Sequence, residues 1–181
     1  MKLKKVAALG LATAMAFSVT ACSSKPAETT AAAEETTAAA DAAETVKEAI
    51  EGKDPAEVKV GISIYQFADN FMTLYRNELQ KYLVDELGLK AENISIMDGK
   101  NDQSEQMNQI RNFVTQGFDV MIINLVQASS EPDVTNICNE AGIPVVYINR
   151  EPDAAEEERW ESEGLNATYV GCDARQSGTY Q

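Results

Sequence analysis

Short runs of β-branched and other apolar residues alternate along the chain with longer stretches in which apolar residues recur every three or four positions. The short runs predict buried strands, and the periodic stretches predict amphipathic helices. Five strands are predicted in this way, at 58–64, 93–97, 120–126, 144–149 and 167–171. Because strands and helices alternate, we expect an α/β protein with a parallel, doubly wound sheet, helices on both faces and right-handed crossovers.

The first helix is predicted over 70–87 and is bounded by clear start and stop signals. Asp69 or Asn70 can accept hydrogen bonds from the free backbone N–H groups of its first turn. Gly88 suits the left-handed conformation that often follows the end of a helix. The helix therefore begins directly after the loop that ends the first strand.

Later segments carry similar signals. Asp102 is expected to cap a second helix that ends at Gly117, and a third helix is predicted over 132–141. The core-facing residues of the second helix are predicted to be Met107, Ile110, Phe113 and Val114. The acidic stretch 150–166 is predicted to be a loop, and Asp173 is expected to cap a last helix.

The chain begins like an exported protein. Lysines at positions 2, 4 and 5 precede an uncharged apolar stretch over 6–19, which is typical of a secretory signal and too short to be a spanning helix. The small residues before Cys22 resemble the lipobox of bacterial lipoproteins, in which the signal is cut just before a cysteine that then carries lipid. The alternative is an ordinary signal peptide with an incidental cysteine. We expect a lipid-anchored protein on the outer face of the cell membrane.

Composition separates a linker from a globular part. Residues 22–57 are mostly Ala, Thr and Glu and contain too few large apolar side chains to offset the entropy of ordering. They are predicted to be a flexible acidic linker that follows the signal peptide at 1–21. Residues 58–181 are predicted to be a lobe of a sheet protein.

Charge and residue types narrow the function. The chain has 15 Lys and Arg, 29 Asp and Glu and no histidine, so its net charge is −14. Such a surface repels phosphate backbones, and nucleic acid is not expected as a partner. The lack of histidine removes the commonest general base and metal ligand. Cys138 and Cys172 are predicted to be free, buried thiols, although an exported protein could also join them.

Polar and aromatic side chains gather where predicted strands end. Tyr65, Asp69, Asn70 and Phe71 follow the first strand, Asn124 ends the third, and Asn149, Arg150 and Glu151 follow the fourth. In an open parallel sheet, ligands bind outside the carboxyl ends of the strands. Carboxylates and amides hydrogen-bond to sugar hydroxyls, and an aromatic ring can stack on the C–H face of a pyranose. These residues are therefore candidates for a small-molecule site.

Simpler interpretations remain open for some of the strand-end residues. Turns and helix caps alone favour Asp and Asn at strand ends, and we prefer that explanation for Asp98, Asn101, Asp102 and Asp173. Phe71 could equally be a core residue at the entrance of its helix. Asn124 is different, because an amide at the end of a strongly apolar strand needs a partner if it is buried.

Five segments resemble those of a known family, and they occur in the same order and with nearly the same spacing. They are 64–72, 100–110, 123–126, 144–152 and 169–178, and they include Asp69-Asn70-Phe71-Met72 and Asn149-Arg150-Glu151-Pro152. Together they resemble the galactose/glucose-binding proteins, in the ribose-binding-like branch of type I periplasmic solute-binding proteins. The resemblance covers the chain from about residue 58 to its last residue.

The resemblance implies a Venus-flytrap receptor whose two α/β lobes close over one hexose and deliver it to the membrane subunits of an ABC permease. It implies that Asp69 and Asn124 hydrogen-bond to the sugar, that Phe71 stacks on one sugar face and that Tyr65 lies near the site. It implies no cofactor in this lobe, because the family's calcium loop belongs to the second lobe. The chain is expected to contain only the first lobe, and by itself to bind sugar weakly or not at all.

Other classes of function are less compatible with the residues. A doubly wound enzyme is the main alternative, but the chain lacks the glycine spacings of nucleotide-binding loops and has no nucleophile with an evident base. We therefore expect a protein that is not an enzyme. A repressor of the lac-repressor family would not be exported. A surface lipoprotein without a ligand remains a further alternative.

Overall fold

The computed structural model describes residues 52–172 of the 181-residue chain. This part is a five-stranded parallel sheet with α-helices between its strands. In chain order the elements are β1 (Val60–Ile64), α1 (Asn70–Asp85), β2 (Ile94–Asp98), α2 (Gln103–Thr115), β3 (Val120–Ile123), α3 (Glu131–Glu140), β4 (Val145–Ile148), α4 (Ala154–Glu163) and β5 (Ala167–Val170). The predicted signal peptide, Cys22, most of the predicted linker and the helix expected after Asp173 lie outside the described residues.

The strand order is β2-β1-β3-β4-β5, and every neighbouring pair is parallel. The chain leaves β1 on one side to form β2 and then returns past β1 to form β3. This reversal brings the carboxyl ends of β1 and β3 side by side, and Asn124 N donates to Ser63 O at 2.8 Å just beyond the paired residues. Ligands bind at this kind of switch point in doubly wound sheets. The predicted parallel, doubly wound fold is confirmed.

Each face of the sheet packs its own apolar core. One core lies between α1 and the sheet and includes Met72 and Leu83. The other lies between the sheet and α2, α3 and α4, and includes Phe113, Cys138 and Trp160. Because successive strand residues point to opposite faces, a strand covered on both sides must be apolar at nearly every position. This explains why the strands appear in the sequence as continuous apolar runs.

Gly61 allows α2 to pack closely against β1. A Cβ atom at this position would lie 2.7 Å from Cγ of the Phe113 ring, closer than side-chain carbons approach in proteins. A residue with a side chain would push the helix away from the strand. The glycine near the start of β1 therefore has a packing role, because it lets the Phe113 ring of α2 lie directly against the strand.

The predicted helix boundaries are mostly confirmed. The Asp69 carboxylate accepts from Met72 N at 2.9 Å and caps α1, and Gly88 has φ +75°. Asp102 caps α2 by accepting from the backbone N–H groups of Ser104 and Glu105 at 2.8 and 3.1 Å. The first helix ends at Asp85, two residues before the predicted end. These agreements reflect hydrogen bonds between residues only a few positions apart.

The prediction of a loop over 150–166 is wrong, because Ala154–Glu163 forms helix α4. The indole ring of Trp160, in this helix, stacks on the ring of Tyr147 in β4 with ring centres 5.3 Å apart. Trp160 therefore anchors the helix to the sheet. Arg159 pairs with Glu156 and Glu163, three positions before and four positions after it. The helix was not predicted because this stretch is mostly acidic and has only one large apolar residue, Trp160, in contact with the core.

The two cysteines of the described part are both free, as predicted. Cys138 is buried, and burial raises the pKa of its thiol to about 12. The predicted burial of Cys172 is wrong, since Cys172 is exposed. The reason is that β5 ends at Val170, so the chain has left the sheet before it reaches this cysteine.

The described chain begins before the first strand. A 3₁₀ turn over Pro55–Glu57 lies within the range predicted to be linker, and its Ala56 carbonyl accepts from the Asn93 side chain at 2.9 Å. Lys53 pairs with Asp119 at the same end of the sheet. Within residues 52–172, none of the helices has the length and apolar character needed to cross a membrane.

Candidate functional site

The predicted site residues lie at the carboxyl ends of β1 and β3, and Arg150, which was not among them, lies at the carboxyl end of β4. Tyr65 and Asp69 follow β1, Asn124 follows β3, and Arg150 follows β4. Tyr65 and Asn124 are buried, whereas Asp69 and Arg150 are half-buried. We call these four residues together with Phe71 the edge cluster.

Asp69 is held by two hydrogen bonds from opposite sides. Its Oδ1 accepts from Met72 N at 2.9 Å, and its Oδ2 accepts from the Tyr65 hydroxyl at 2.5 Å. The bond from Tyr65, followed by that from Met72, lowers the pKa of the Asp69 carboxyl below its ordinary value. The same bond and burial raise the pKa of the Tyr65 hydroxyl. Asp69 is therefore an ionised acceptor with a fixed orientation at neutral pH.

Phe71 lies on the outer side of α1, two residues beyond Asp69. The residue is 59% exposed, so the structure does not support the alternative in which Phe71 belongs to the core. Its ring is tilted against that of Tyr75, with centres 6.0 Å apart. The remaining surface of the ring faces outward and is available to an apolar surface of another molecule.

Asn124 is completely buried, so the structure does not bring its amide to the surface. Its Nδ2 donates to the sulfur of Met72 at 2.7 Å. Its Oδ1 has no hydrogen-bond partner in the described part of the chain. Met72 therefore links Asn124 to Asp69, because its backbone N–H binds the carboxylate and its sulfur binds the amide.

The sequence placed Arg150 at a strand end but assigned it no role. In the structure its guanidinium carbon lies 4.3 Å from the centre of the Tyr65 ring, and its Nη1 donates to the carbonyl oxygen of Val126. Asn149, the residue before it, adopts the left-handed conformation with φ +66°. An arginine at a strand end in an acidic chain was the only available sequence signal.

A buried set of polar side chains, Ser63, Gln106 and Gln109, lies behind the edge cluster on the α2 side. We call it the amide layer. Gln106 Nε2 donates to Asn124 O at 2.9 Å, and its Oε1 accepts from Val126 N at 2.8 Å. Gln109 accepts from the Ser63 hydroxyl at 3.0 Å. Sequence reasoning missed this layer, because glutamine on a helix is usually exposed.

The loop after β2 fixes the backbone of the loop after β1. Asp98 Oδ1 accepts from Phe67 N at 3.0 Å and from Lys100 N at 2.9 Å. Asn101 N donates to Tyr65 O at 2.7 Å, from a left-handed conformation with φ +54°. The structural role that we preferred for Asp98 and Asn101 agrees with these contacts. They hold Tyr65 in place from the β2 side.

Comparison with known proteins identifies a family whose match begins at the first residue of β1. Residues 60–181 match the family described as periplasmic binding protein domain. The chain is 33% identical over 126 residues to the D-galactose/methyl-galactoside binding periplasmic protein of Haemophilus influenzae, an alignment that covers 70% of this chain and 36% of that protein. It is 37% identical over 93 residues to a putative rhizopine-binding protein of Rhizobium meliloti, covering 51% and 29%.

Solved structures have the same fold. An ABC transporter solute binding protein from Bacillus halodurans with bound myo-inositol superposes with a TM-score of 0.50 at 28% identity, over 58% of this chain and 35% of that one. A Caulobacter myo-inositol binding protein superposes with a TM-score of 0.54 at 20% identity, over 67% and 36%, and shows the shared fold.

The chain spans roughly a third of the length of these relatives. Their names describe solute-binding proteins, not enzymes. The sheet order places the edge cluster at the carboxyl ends of parallel strands, which is where open α/β sheets bind ligands. On the match over residues 60–181, this chain belongs to the family of periplasmic binding protein domains.

Proposed function

We propose that this chain supplies one wall of the sugar-binding cleft of an exported solute-binding receptor, and that the sugar is a hexose of the galactose or glucose type. One observation carries the proposal. A fixed, ionised Asp69 lies two residues from the exposed ring of Phe71 at the switch point of the sheet. A carboxylate beside an open aromatic face suits a ligand with hydroxyls at its rim and C–H groups on its faces.

Asp69 is the hydroxyl acceptor in this proposal. Each of its oxygens accepts one hydrogen bond from the protein, from Tyr65 or from Met72. A carboxylate oxygen can accept a second bond, so both oxygens keep capacity for a ligand. Phe71 supplies the surface on which one face of the sugar ring stacks. The two residues thus bind the rim and the face of the same ring.

Asn124 is the partner from the neighbouring strand. Its Nδ2 binds only the sulfur of Met72, a weak acceptor, and its Oδ1 is unpaired within residues 52–172. Exchanging the sulfur for a sugar hydroxyl would give the amide a stronger acceptor. It would also give Oδ1 a donor. A movement of Met72 that uncovered this amide would therefore expose a polar group that gains from binding a ligand.

The rest of the receptor follows from the family and from the start of the chain. We infer a second lobe that closes over the sugar and an ABC permease that receives it. We infer further that residues 1–21 are a signal peptide, that Cys22 carries lipid and that residues 22–57 tether the lobe at 58–181 to the membrane. Mass spectrometry of the protein purified from its membrane would test the anchor through the mass of the peptide beginning at Cys22.

A cyclitol is the second candidate ligand class. The solved solute binding protein from Bacillus halodurans, which is 28% identical to this chain, contains bound myo-inositol. A cyclitol also has hydroxyls around a saturated ring, so it would use Asp69 and Phe71 in the same way. A hexose in its pyranose form has an oxygen in the ring, whereas the ring of a cyclitol is all carbon. Comparing the binding of the two compounds to this chain separates the two classes.

Nuclear magnetic resonance of the isotope-labelled chain tests the site. D-galactose, D-glucose and myo-inositol are titrated to about 100 mM, because one wall of a cleft is expected to bind with a dissociation constant of about 1–100 mM. We expect shifts confined to the backbone signals around Asp69, Phe71 and Asn124. We expect larger shifts with D-galactose or D-glucose than with myo-inositol.

Two substitutions on the same helix provide the contrast. Phe71→Ala should abolish the shifts, whereas Tyr82→Ala removes another exposed ring, 54% exposed, and should leave them unchanged. Equal effects of the two substitutions would contradict the proposed stacking role. The absence of shifts with all three compounds, both in this chain and in a receptor completed with its second lobe, would overturn the proposed function.

A further inference from the structure

Arg150 makes two contacts that join three strand ends. It follows β4, its guanidinium covers the ring of Tyr65 after β1, and its Nη1 donates to the carbonyl of Val126 after β3. The side chain is half-buried, and the left-handed backbone of Asn149 directs the chain at this point.

The contacts of the edge cluster close into a ring. Arg150 lies on Tyr65, the Tyr65 hydroxyl donates to Asp69, and Asp69 accepts from Met72 N. The sulfur of Met72 accepts from Asn124, which belongs to the same loop as Val126, the residue whose carbonyl binds Arg150. The hydrogen bond between Tyr65 and Asp69 is therefore one link in this ring, and Arg150 contacts its donor through the Tyr65 ring.

The chemistry of arginine suits this position. Its planar guanidinium can stack on an aromatic ring while N–H groups at its rim donate to an acceptor in the same plane. Lysine has a compact charge and no planar surface, so it can attract the ring or donate to the carbonyl but cannot hold the plane of the ring. The second contact, to the Val126 carbonyl, keeps the guanidinium from turning away from Tyr65.

We propose that Arg150 is a positioning residue of the edge cluster: by stacking on Tyr65 while bound to the Val126 carbonyl, it holds the Tyr65 hydroxyl on Asp69 and thereby sets the direction of the Asp69 carboxylate. Its consequence for sugar affinity rests on the proposed function. The positioning itself does not, because it concerns contacts within the protein.

The pKa of Asp69 reports this positioning without any ligand. The Tyr65 hydroxyl is the largest cause of the lowered pKa of Asp69, so loosening that bond must raise the pKa. The measurement follows the carboxyl carbon of Asp69 by carbon-13 resonance as the pH falls. It compares the 181-residue chain with Arg150→Met, with Tyr65→Phe and with the double variant.

We expect Arg150→Met to raise the pKa of Asp69, but by less than Tyr65→Phe does, because the Tyr65 hydroxyl is still present. In the Tyr65→Phe background, Arg150→Met should add almost nothing, because the bond through which Arg150 acts is already lost. An equal rise in both backgrounds would mean that Arg150 acts only through its charge, and would overturn the proposal. So would the absence of any rise in Arg150→Met.

Arg150→Lys is the second variant, for use if Arg150→Met reduces the folded fraction seen by circular dichroism. It keeps the positive charge, so a rise in the pKa of Asp69 that again depends on Tyr65 supports positioning by the planar group, and no rise overturns it. The sugar titration is read separately. Absence of sugar-induced shifts in both the unsubstituted chain and the completed receptor contradicts the proposed function but leaves the pKa cycle to decide the role of Arg150.

Discussion

The amide layer and the edge cluster are two polar groups at the same end of the sheet, and they differ in how completely they are hydrogen-bonded. Ser63, Gln106 and Gln109 are buried, and Gln106 uses both its donor and its acceptor on neighbouring groups. In the edge cluster, Asn124 has an unpaired oxygen and Phe71 has an exposed ring. The first group is complete within the protein, whereas the second has capacity left over.

This difference separates a structural role from a binding role. A buried polar group that is fully paired stabilises one arrangement of the strands around it, since any other arrangement leaves it unpaired. A polar or aromatic group with unused capacity at a concave edge gains when another molecule supplies the missing contact. Under the proposed function, the amide layer positions the edge cluster, and the edge cluster is the part that would meet a ligand.

The largest effect is expected from removing the amide of Gln106. Gln106→Met keeps the length of the side chain but leaves Asn124 O and Val126 N buried without their partner. Each buried group that loses its partner costs about 1–3 kcal/mol, so the free energy of unfolding should fall by about 4 kcal/mol. Urea unfolding followed by far-ultraviolet circular dichroism measures this change.

Asn108→Met provides the control for Gln106→Met. Asn108 lies on the same helix and is exposed, so the same new side chain should change the free energy of unfolding by less than about 0.5 kcal/mol. A cost for Gln106→Met that is no larger than the cost of Asn108→Met would show that the amide layer does not stabilise the strand ends.

Glu131 sharpens the comparison, because it is a half-satisfied buried group outside the edge cluster. It is 1% exposed, its Oε2 accepts from Asp153 N at 3.0 Å, and its Oε1 is unpaired within residues 52–172. Burial is the main cause that raises the pKa of its carboxyl to about 7. Here the unused capacity lowers stability instead of binding a ligand, since the group is enclosed.

The direction in which stability changes with pH follows from which state of the chain, folded or unfolded, holds the Glu131 proton. Between the ordinary pKa of a glutamate, 4.5, and about 7, the folded chain holds the Glu131 proton that the unfolded chain has lost. Stability should therefore fall as the pH rises through this window, by about 3 kcal/mol, and then stay constant with respect to this group. Urea unfolding at a series of pH values measures the fall.

The variant Glu131→Gln should remove that fall, because an amide has no proton to lose in this range and can still accept from Asp153 N. Glu140→Gln, an exposed substitution on the same helix, should leave it unchanged. If stability declines equally with pH in both variants, the pH dependence comes from other groups, and the assignment to Glu131 is wrong.

The smallest effect on stability is expected from Phe71. Because the ring is already 59% exposed, Phe71→Ala should change the free energy of unfolding by less than about 0.5 kcal/mol, although it is expected to abolish the sugar response. Leu74→Ala, also exposed on α1, should be equally neutral. A cost of more than about 1.5 kcal/mol for Phe71→Ala alone would make Phe71 a packing residue and weaken its assignment to the binding edge.

The fold could be predicted closely, and the contacts within the site could not. The strands and the caps at Asp69 and Asp102 follow from apolar runs and from hydrogen bonds that span two to three residues. Helix α4 was missed because only Trp160 gives it a large apolar contact, and this is too few for a helical period to be seen. Tyr65, Asp69 and Asn124 were placed at the right edge, but neither their partners nor the burial of Asn124 could be inferred.

The chain alone therefore specified the order of strands and helices, the ends of most helices and the edge at which chemistry collects, because these depend on periodicity and on near neighbours. The tertiary structure decided which polar groups are satisfied. The stacking of Arg150 on Tyr65 joins residues far apart in the chain, and Gln106 bridges β1 and β3 from a helix. Such contacts depend on how whole helices and strands pack against each other. Local sequence patterns do not show which distant residues that packing brings together.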